Sequence, residues 1–190
     1  GLNLEAAGVK VIDGRLVVGA DMRTSQPHIF AVGDVNDLTP IVHLAIQQGE
    51  TAAFNATHPD VPARVIDHRL DSEMVFTDPQ VAIAGLSERQ CREQAIPYLT
   101  ASYPFADHGK AMCLGALAGF VKLLCRPDNG ELIGAQIVGP EAAELIHELI
   151  AVMYFHGTAQ DLLRIPHYHP TLAEIVTYPA ESILEQMGRI

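Results

Sequence analysis

Basic residues are scarce in this chain. Its 190 residues include 12 Lys and Arg against 23 Asp and Glu, a net charge of −11 with the histidines neutral. That is the wrong sign for holding phosphate backbones or anionic lipid, which sets nucleic acid and membrane surfaces aside as partners. Long apolar runs are missing too, since none reaches the roughly 18 residues that a membrane-spanning helix needs. The opening GLNLEAAGVK lacks the basic start and apolar core of a secretion signal, and the chain reads as cytoplasmic. Cysteine is limited to Cys91, Cys113 and Cys125, widely spaced and with no C-x-x-C pair. Such a set supports neither a disulfide framework nor a cysteine zinc site, and buried apolar filler is the expected role. There is no G-x-G-x-x-G or other phosphate-cradling loop, and no internal repeat.

What is present suffices for a core. The chain is 48% hydrophobic with a mean hydropathy of +0.16, room for one generous domain, or for one domain and a piece of another. The slight apolar excess implies surface that a partner covers. The chain also starts without a methionine, and it reads as a fragment.

Local signals divide it. VKVIDGRLVVG at 9–19 sets two β-branched runs around Asp13-Gly14, a strong short hairpin signal. Ile29 to Val32 is a continuous apolar run, as in a strand buried on both faces, and ends in Gly33-Asp34. Helical spacing covers Ile41 to Ala56. Pro59, Pro62 and the polar stretch that follows mark a linker, with a boundary near residue 69. Beyond it, short strands are expected at Met74–Phe76 and Val81–Ala84. Ser87 and Gln90 form a capping box for a helix to about Ala95. Gly119–Cys125 and Leu132–Val138 make a hairpin across Pro127-Asp128-Asn129-Gly130. A helix then follows Pro140 to His156, with Gly157 as its C-cap and Thr158 capping the next. Its Ala143, Ile146, Leu149, Ile150 and Met153 form one apolar stripe. This pattern is an α+β fold with an antiparallel sheet.

The stretch IPHYHPTLAE, 165–174, carries the densest chemistry. His167 and His169 project to one side of an extended chain and could begin a metal site, although only Glu174 offers itself as a further ligand. Alternatively His169 is a general base, because histidine titrates within the physiological range. In a third reading Thr171 and Glu174 are a capping box, T-x-x-E, that only opens a helix. Asp34 is open in the same way: it sits at the carboxyl end of an apolar run, where α/β sheets bind ligands, or it simply begins a turn. His43, His108, His147 and His156 are expected on the surface or on helix faces, without chemistry.

Five segments, TSQPHIFAVGD (24–34), FTDPQVAIAGLSE (76–88), GFVKLL (119–124), GAQIVGPEAAELIHE (134–148) and HYHPTLAE (167–174), occur in the order found in one family. Together they resemble the pyridine nucleotide-disulfide oxidoreductases, the flavoprotein disulfide reductases, with a dihydrolipoamide dehydrogenase-like wording in TLAE. The resemblance implies a C-terminal piece of an α/β FAD-binding domain at 1–68 and a dimerisation domain at 69–190, an antiparallel sheet flanked by helices. It implies FAD and NAD in the complete enzyme, a homodimer, and as substrate a small dithiol or disulfide or a lipoyl-bearing protein. In such proteins the equivalent of Asp34 holds a ribityl hydroxyl of FAD, and the backbone at Val42, His43, Leu44 and Ala45 meets the flavin pyrimidine edge. The equivalent of His169 exchanges a proton with the cysteine pair of the other subunit, and that of Glu174 holds its ring. The family's glycine motifs and its C-x-x-x-x-C pair are absent from these residues, so the chain alone is expected to be inactive and to hold little or no FAD. A non-catalytic dimerisation module of a related flavoprotein is the alternative.

Overall fold

In residues 1–68 local turn chemistry does most of the shaping. A computed structural model describes residues 1–190, which divide into units Gly1–His68 and Arg69–Ile190. Strands β1 (Val11–Ile12) and β2 (Arg15–Leu16) pair antiparallel with Ile12 opposite Arg15. Asp13 and Gly14 between them both have positive φ, 50° and 81°. That is the backbone a two-residue hairpin loop demands, because its twist matches that of the strands. Helix α1 (Val42–Thr57) buries Leu44, Gln48, Thr51, Ala52 and Asn55. Two of these are carboxamides, and each is satisfied: Asn55 Nδ2 donates to the carbonyls of Asp21 and Arg64, and Arg64 N–H donates to Asn55 Oδ1.

One expectation in this unit fails. Ile29–Val32 is not a strand buried on both faces: Phe30 makes an isolated bridge to Arg23, and Ala31 alone of the four is buried. A strand needs ladder partners for its amides, and the unit's two strands already pair with each other.

The second unit is built on a five-stranded antiparallel sheet in the order β3-β4-β7-β6-β5. The strands are β3 (Ser72–Val75), β4 (Gln80–Gly85), β5 (Leu99–Pro104), β6 (Phe120–Cys125) and β7 (Leu132–Gly139). β3 starts before the expected Met74 and stops short of Phe76, which is 78% exposed. The central strand β7 is buried along most of its length, as a strand covered on both faces should be. Helix α2 (Glu88–Glu93) has the capping box, Ser87 and Gln90 each bonding the other's backbone. The short α3 (Gly109–Leu114) carries no strong sequence signal, and strand β5 lies outside the expected strands although Leu99, Ala101 and Tyr103 alternate toward the core. Cys91 and Cys125 are buried filler, with burial pushing the Cys125 thiol up to about 12, whereas Cys113 is exposed.

Helix α4 (Ala142–Tyr154) begins two residues after Pro140 and buries Ala143, Ile146, Leu149 and Met153 against β4 and β7. Its end differs in detail from expectation. The left-handed residue is His156, φ 55°, not Gly157. Gly157 N–H donates to Val152 O (2.8 Å) and His156 N–H to Met153 O (3.1 Å), the paired bonds of a Schellman motif. α5 (Ala159–Arg164) and α6 (Thr177–Gln186) pack on each other, and α6 also lies on β5 and β6.

Gly134 in β7 shows how tightly the sheet is tied to the chain that crosses it. A Cβ there would stand 1.9 Å from the carbonyl oxygen of Leu86, whose own N–H donates to Ile133 O. The obstruction is backbone, so relief requires moving the β4–α2 connection. Gly134→Ala is therefore expected to lower unfolding free energy by about 2 kcal/mol or more, read as a fall in the urea midpoint.

Candidate functional site

Pro170 and Thr171 are followed by a 3-10 turn, Ala173–Val176, that runs directly into α6. Ile175 and Val176 are fully buried in the main core, so the turn is pinned by its apolar neighbours. Glu174 is carried inward with them, its side chain 12% exposed. An almost buried carboxylate requires partners. His169 supplies one: its Nδ1 lies 2.9 Å from Glu174 Oε2 and 3.2 Å from Oε1. The His169 side chain itself is 77% exposed. A carboxylate accepts, so Nδ1 carries the proton, and Nε2 on the far edge of the ring is left as an acceptor.

The helix-cap reading of Thr171 and Glu174 does not survive. No side-chain cap bond is made at this helix start, and Thr171 Oγ1 is buried with no hydrogen-bond partner. Glu174 is engaged by imidazole instead. His167 and His169 also part company. His167 sets Nδ1 2.8 Å from Ile165 O and Nε2 2.8 Å from Glu148 Oε1, so the two histidines serve different carboxylates. No three His, Cys, Asp or Glu side chains are grouped to hold a metal ion.

His108 is the residue that sequence reasoning misplaced. It is wholly buried, not a surface histidine, and its Nε2 lies 3.4 Å from Glu174 Oε1. That contact is electrostatic, for neither ring nitrogen has a hydrogen-bond partner. Burial pushes its pKa down, outweighing the pull of Glu174 in the other direction, and His169 nearby lowers it further. His156 is exposed and bonds Glu131 at 2.7 Å, which holds the Glu131 carboxyl below its usual range. His43 and His147 are exposed.

In the unit of residues 1–68, Asp34 is exposed in a 3-10 turn, Gly33–Asn36. A buried amide ties this turn to α1: Gln48 Oε1 accepts from Gly33 N–H at 2.7 Å and from Asn36 Nδ2 at 2.9 Å. Gly33 has φ 68°, and a Cβ on it would come 3.3 Å from that of Ala45. The turn and the helix start are thus closely apposed. The first turn of α1 comprises Val42 and His43, both exposed, the buried Leu44, and the half-buried Ala45. Ile41 provides no side-chain cap, and the Ala45 amide already donates to Ile41 O. A helix N-terminus beside an exposed carboxylate can accept an electron-rich ring edge and a hydroxyl donor respectively, which fits one edge of a flavin cofactor.

Comparison with known proteins defines the class. The pyridine nucleotide-disulphide oxidoreductase dimerisation domain matches residues 72–180, and a pyridine nucleotide-disulphide oxidoreductase domain matches 1–49. The chain belongs to this family, whose members are FAD- and NAD-dependent flavoproteins. Among individual relatives it is 38% identical over 185 residues to dihydrolipoyl dehydrogenase of Geobacillus stearothermophilus, covering 96% of this chain and 38% of the relative. It is 39% identical over 176 residues to dihydrolipoyl dehydrogenase of Mycobacterium tuberculosis, covering 92% of this chain and 38% of that one. The chain thus spans well under half the length of these relatives. LpdA from M. tuberculosis superposes with a TM-score of 0.86 at 29% identity, over 96% of this chain and 40% of that one. The flavoprotein disulfide reductase RclA from Escherichia coli shares the fold, with a TM-score of 0.81 at 22% identity over 95% of this chain and 41% of its own.

The buried imidazole has a measurable consequence. Because the folded pKa of His108 lies below its unfolded value, its neutral form favours folding. That contribution is fully present above about pH 6.5 and is lost as pH falls through the depressed folded value. The urea midpoint is expected to drop between pH 7.5 and pH 5, and to drop less in His108→Gln, which cannot titrate.

Proposed function

We propose that the chain is the C-terminal part of an FAD-dependent oxidoreductase that moves electrons between a small dithiol, dihydrolipoamide-like, and NAD. In this reading residues 1–68 complete the FAD-binding domain and 69–190 form the dimerisation domain. The names of the relatives, dihydrolipoyl dehydrogenases, support the substrate class. The observation that carries it is the His169–Glu174 dyad: an exposed imidazole with one nitrogen committed to a nearly buried carboxylate and the other facing outward.

His169 Nε2 accepts the proton of an incoming thiol, while Nδ1–H stays bonded to Glu174. The imidazolium that results is stabilised by that carboxylate, and the ring keeps its orientation through the transfer. The proton returns when a thiol leaves. The cysteine pair that this base serves is not Cys91, Cys113 or Cys125, two of which are buried; it belongs to the partner subunit of a homodimer. Exposed apolar side chains on the dimerisation unit support such an interface, among them Phe76, Tyr154, Phe155 and Tyr168. FAD, when bound, supplies the redox chemistry. Asp34 would hold a cofactor hydroxyl, and the first turn of α1, from Val42 to Ala45, would hold the flavin. Purified alone, the chain is expected to be a dimer by light scattering and to lack flavin absorbance, since the other parts of a flavin site are not among these residues.

In the complete enzyme, His169→Gln is expected to slow flavin reduction by dithiol at least about a hundredfold, the usual worth of a positioned base. Flavin content and dimerisation should be kept. Glu174→Gln should slow it less, because it removes only orientation and charge. Stopped-flow measurement decides: a rate unchanged in His169→Gln would remove the proton-transfer role and leave the stretch a structural element.

A further inference from the structure

Two imidazoles meet one carboxylate at this site. Glu174 Oε1 stands 3.2 Å from His169 Nδ1 and 3.4 Å from His108 Nε2. One negative charge stabilises one imidazolium well, so the environment of the two rings decides which carries the proton. His169 is 77% exposed, whereas the His108 side chain is 0% exposed. Water is available to solvate the first cation and not the second.

His108 is also held rigidly. Its N–H donates to Phe105 O at 3.1 Å and its carbonyl accepts from Met112 N–H at 3.0 Å, fixing the backbone on both sides. Tyr178 of α6 stands edge-on to the ring at 5.9 Å, and Tyr103 of β5 stacks on Tyr178 at 4.2 Å. The charged or titratable groups around it are therefore Glu174 and His169 from the loop and turn before α6, Tyr178 from α6, Tyr103 from β5, and its chain neighbour Asp107. A buried N–H without an acceptor is disfavoured, and the carboxylate is the acceptor in reach.

We propose that His108 is a positioning residue for Glu174: a neutral imidazole whose Nε2 edge stands 3.4 Å from Oε1, it fixes the carboxylate toward His169 and tempers its attraction for the His169 proton. His169, Glu174 and His108 thus form a chain of three groups with the proton-accepting nitrogen at its exposed end. This rests on the role given to His169 above. The positive N–H edge of a neutral imidazole beside the far oxygen offsets part of the carboxylate's charge. Without it the imidazolium of His169 is held more firmly and surrenders its proton less readily.

The test is an NMR titration of the histidine rings in the full chain. In the unmodified protein at pH 7, nitrogen shifts should show His108 neutral with its proton on Nε2; a proton on Nδ1, or an imidazolium, would overturn the proposal. In His108→Leu the His169 titration midpoint should move to higher pH by about half a unit. His108→Gln, which restores a donor, should return it to the original value. A folded His108→Leu protein with an unshifted His169 midpoint would leave His108 a packing residue only. These readouts need no catalysis, so they are separate from the stopped-flow result on His169→Gln. In the complete enzyme the acid limb of the rate profile should follow the same shift.

Discussion

A carboxylate drawn into an apolar core is the constraint around which the second unit is arranged. Glu174 is flanked by Ile175 and Val176, both at 0% exposure, and its position is set by where they pack rather than by its own preference. Burying such a group is tolerable only if hydrogen bonds and opposite charge replace the water it loses. His169 provides a hydrogen bond from the solvent side and His108 stands on the inner side. Everything that places these rings, from the 3-10 turn to the aromatic pair Tyr103 and Tyr178, serves to keep one oxygen pair between two imidazoles.

The same logic, with neutral groups, organises the first unit. Gln48 and Asn55 lie on the buried face of α1, four and eleven residues after Leu44. Each uses its carboxamide to hold a loop: Gln48 the turn bearing Asp34, Asn55 the segments at Asp21 and Arg64. Unlike the dyad, these networks gain nothing from ionisation. They fix geometry across pH.

How much of this could be read from the sequence follows the range of the interaction. Asp13-Gly14, the Ser87–Gln90 box and the turn at 127–130 are local chemistry, and each sits where its residues imply. Ile29–Val32 has the composition of a buried strand, but strand formation depends on neighbours that composition does not reveal. β5 carries a readable but short signal, for Leu99, Ala101 and Tyr103 alternate with Thr100 and Ser102 and pack on the core from an edge position. Thr171 and Glu174 have the spacing of a capping box, yet a nearby imidazole competes for the carboxylate and prevails. His108 could not be placed at all from its own surroundings, ADHGKA, because the groups that bury it, Glu174 and Tyr178, come from far along the chain.

The strand order has a consequence for synthesis on the ribosome. β7 is the centre of the sheet, bonded to β4 on one side and β6 on the other, so β4 emerges with only β3 for company and waits for residue 132. A hairpin of two strands is marginal in water. Until β7 arrives, the Gly85 edge that later pairs with Gly134 is an open edge able to recruit other chains. The turn from Ala173 to Val176 follows later still, once the sheet and α4 can offer it a core. Glu174 and its two imidazoles are thus brought together on a finished scaffold, and a nascent chain stalled before residue 169 carries a buried-to-be histidine at 108 with nothing yet to face.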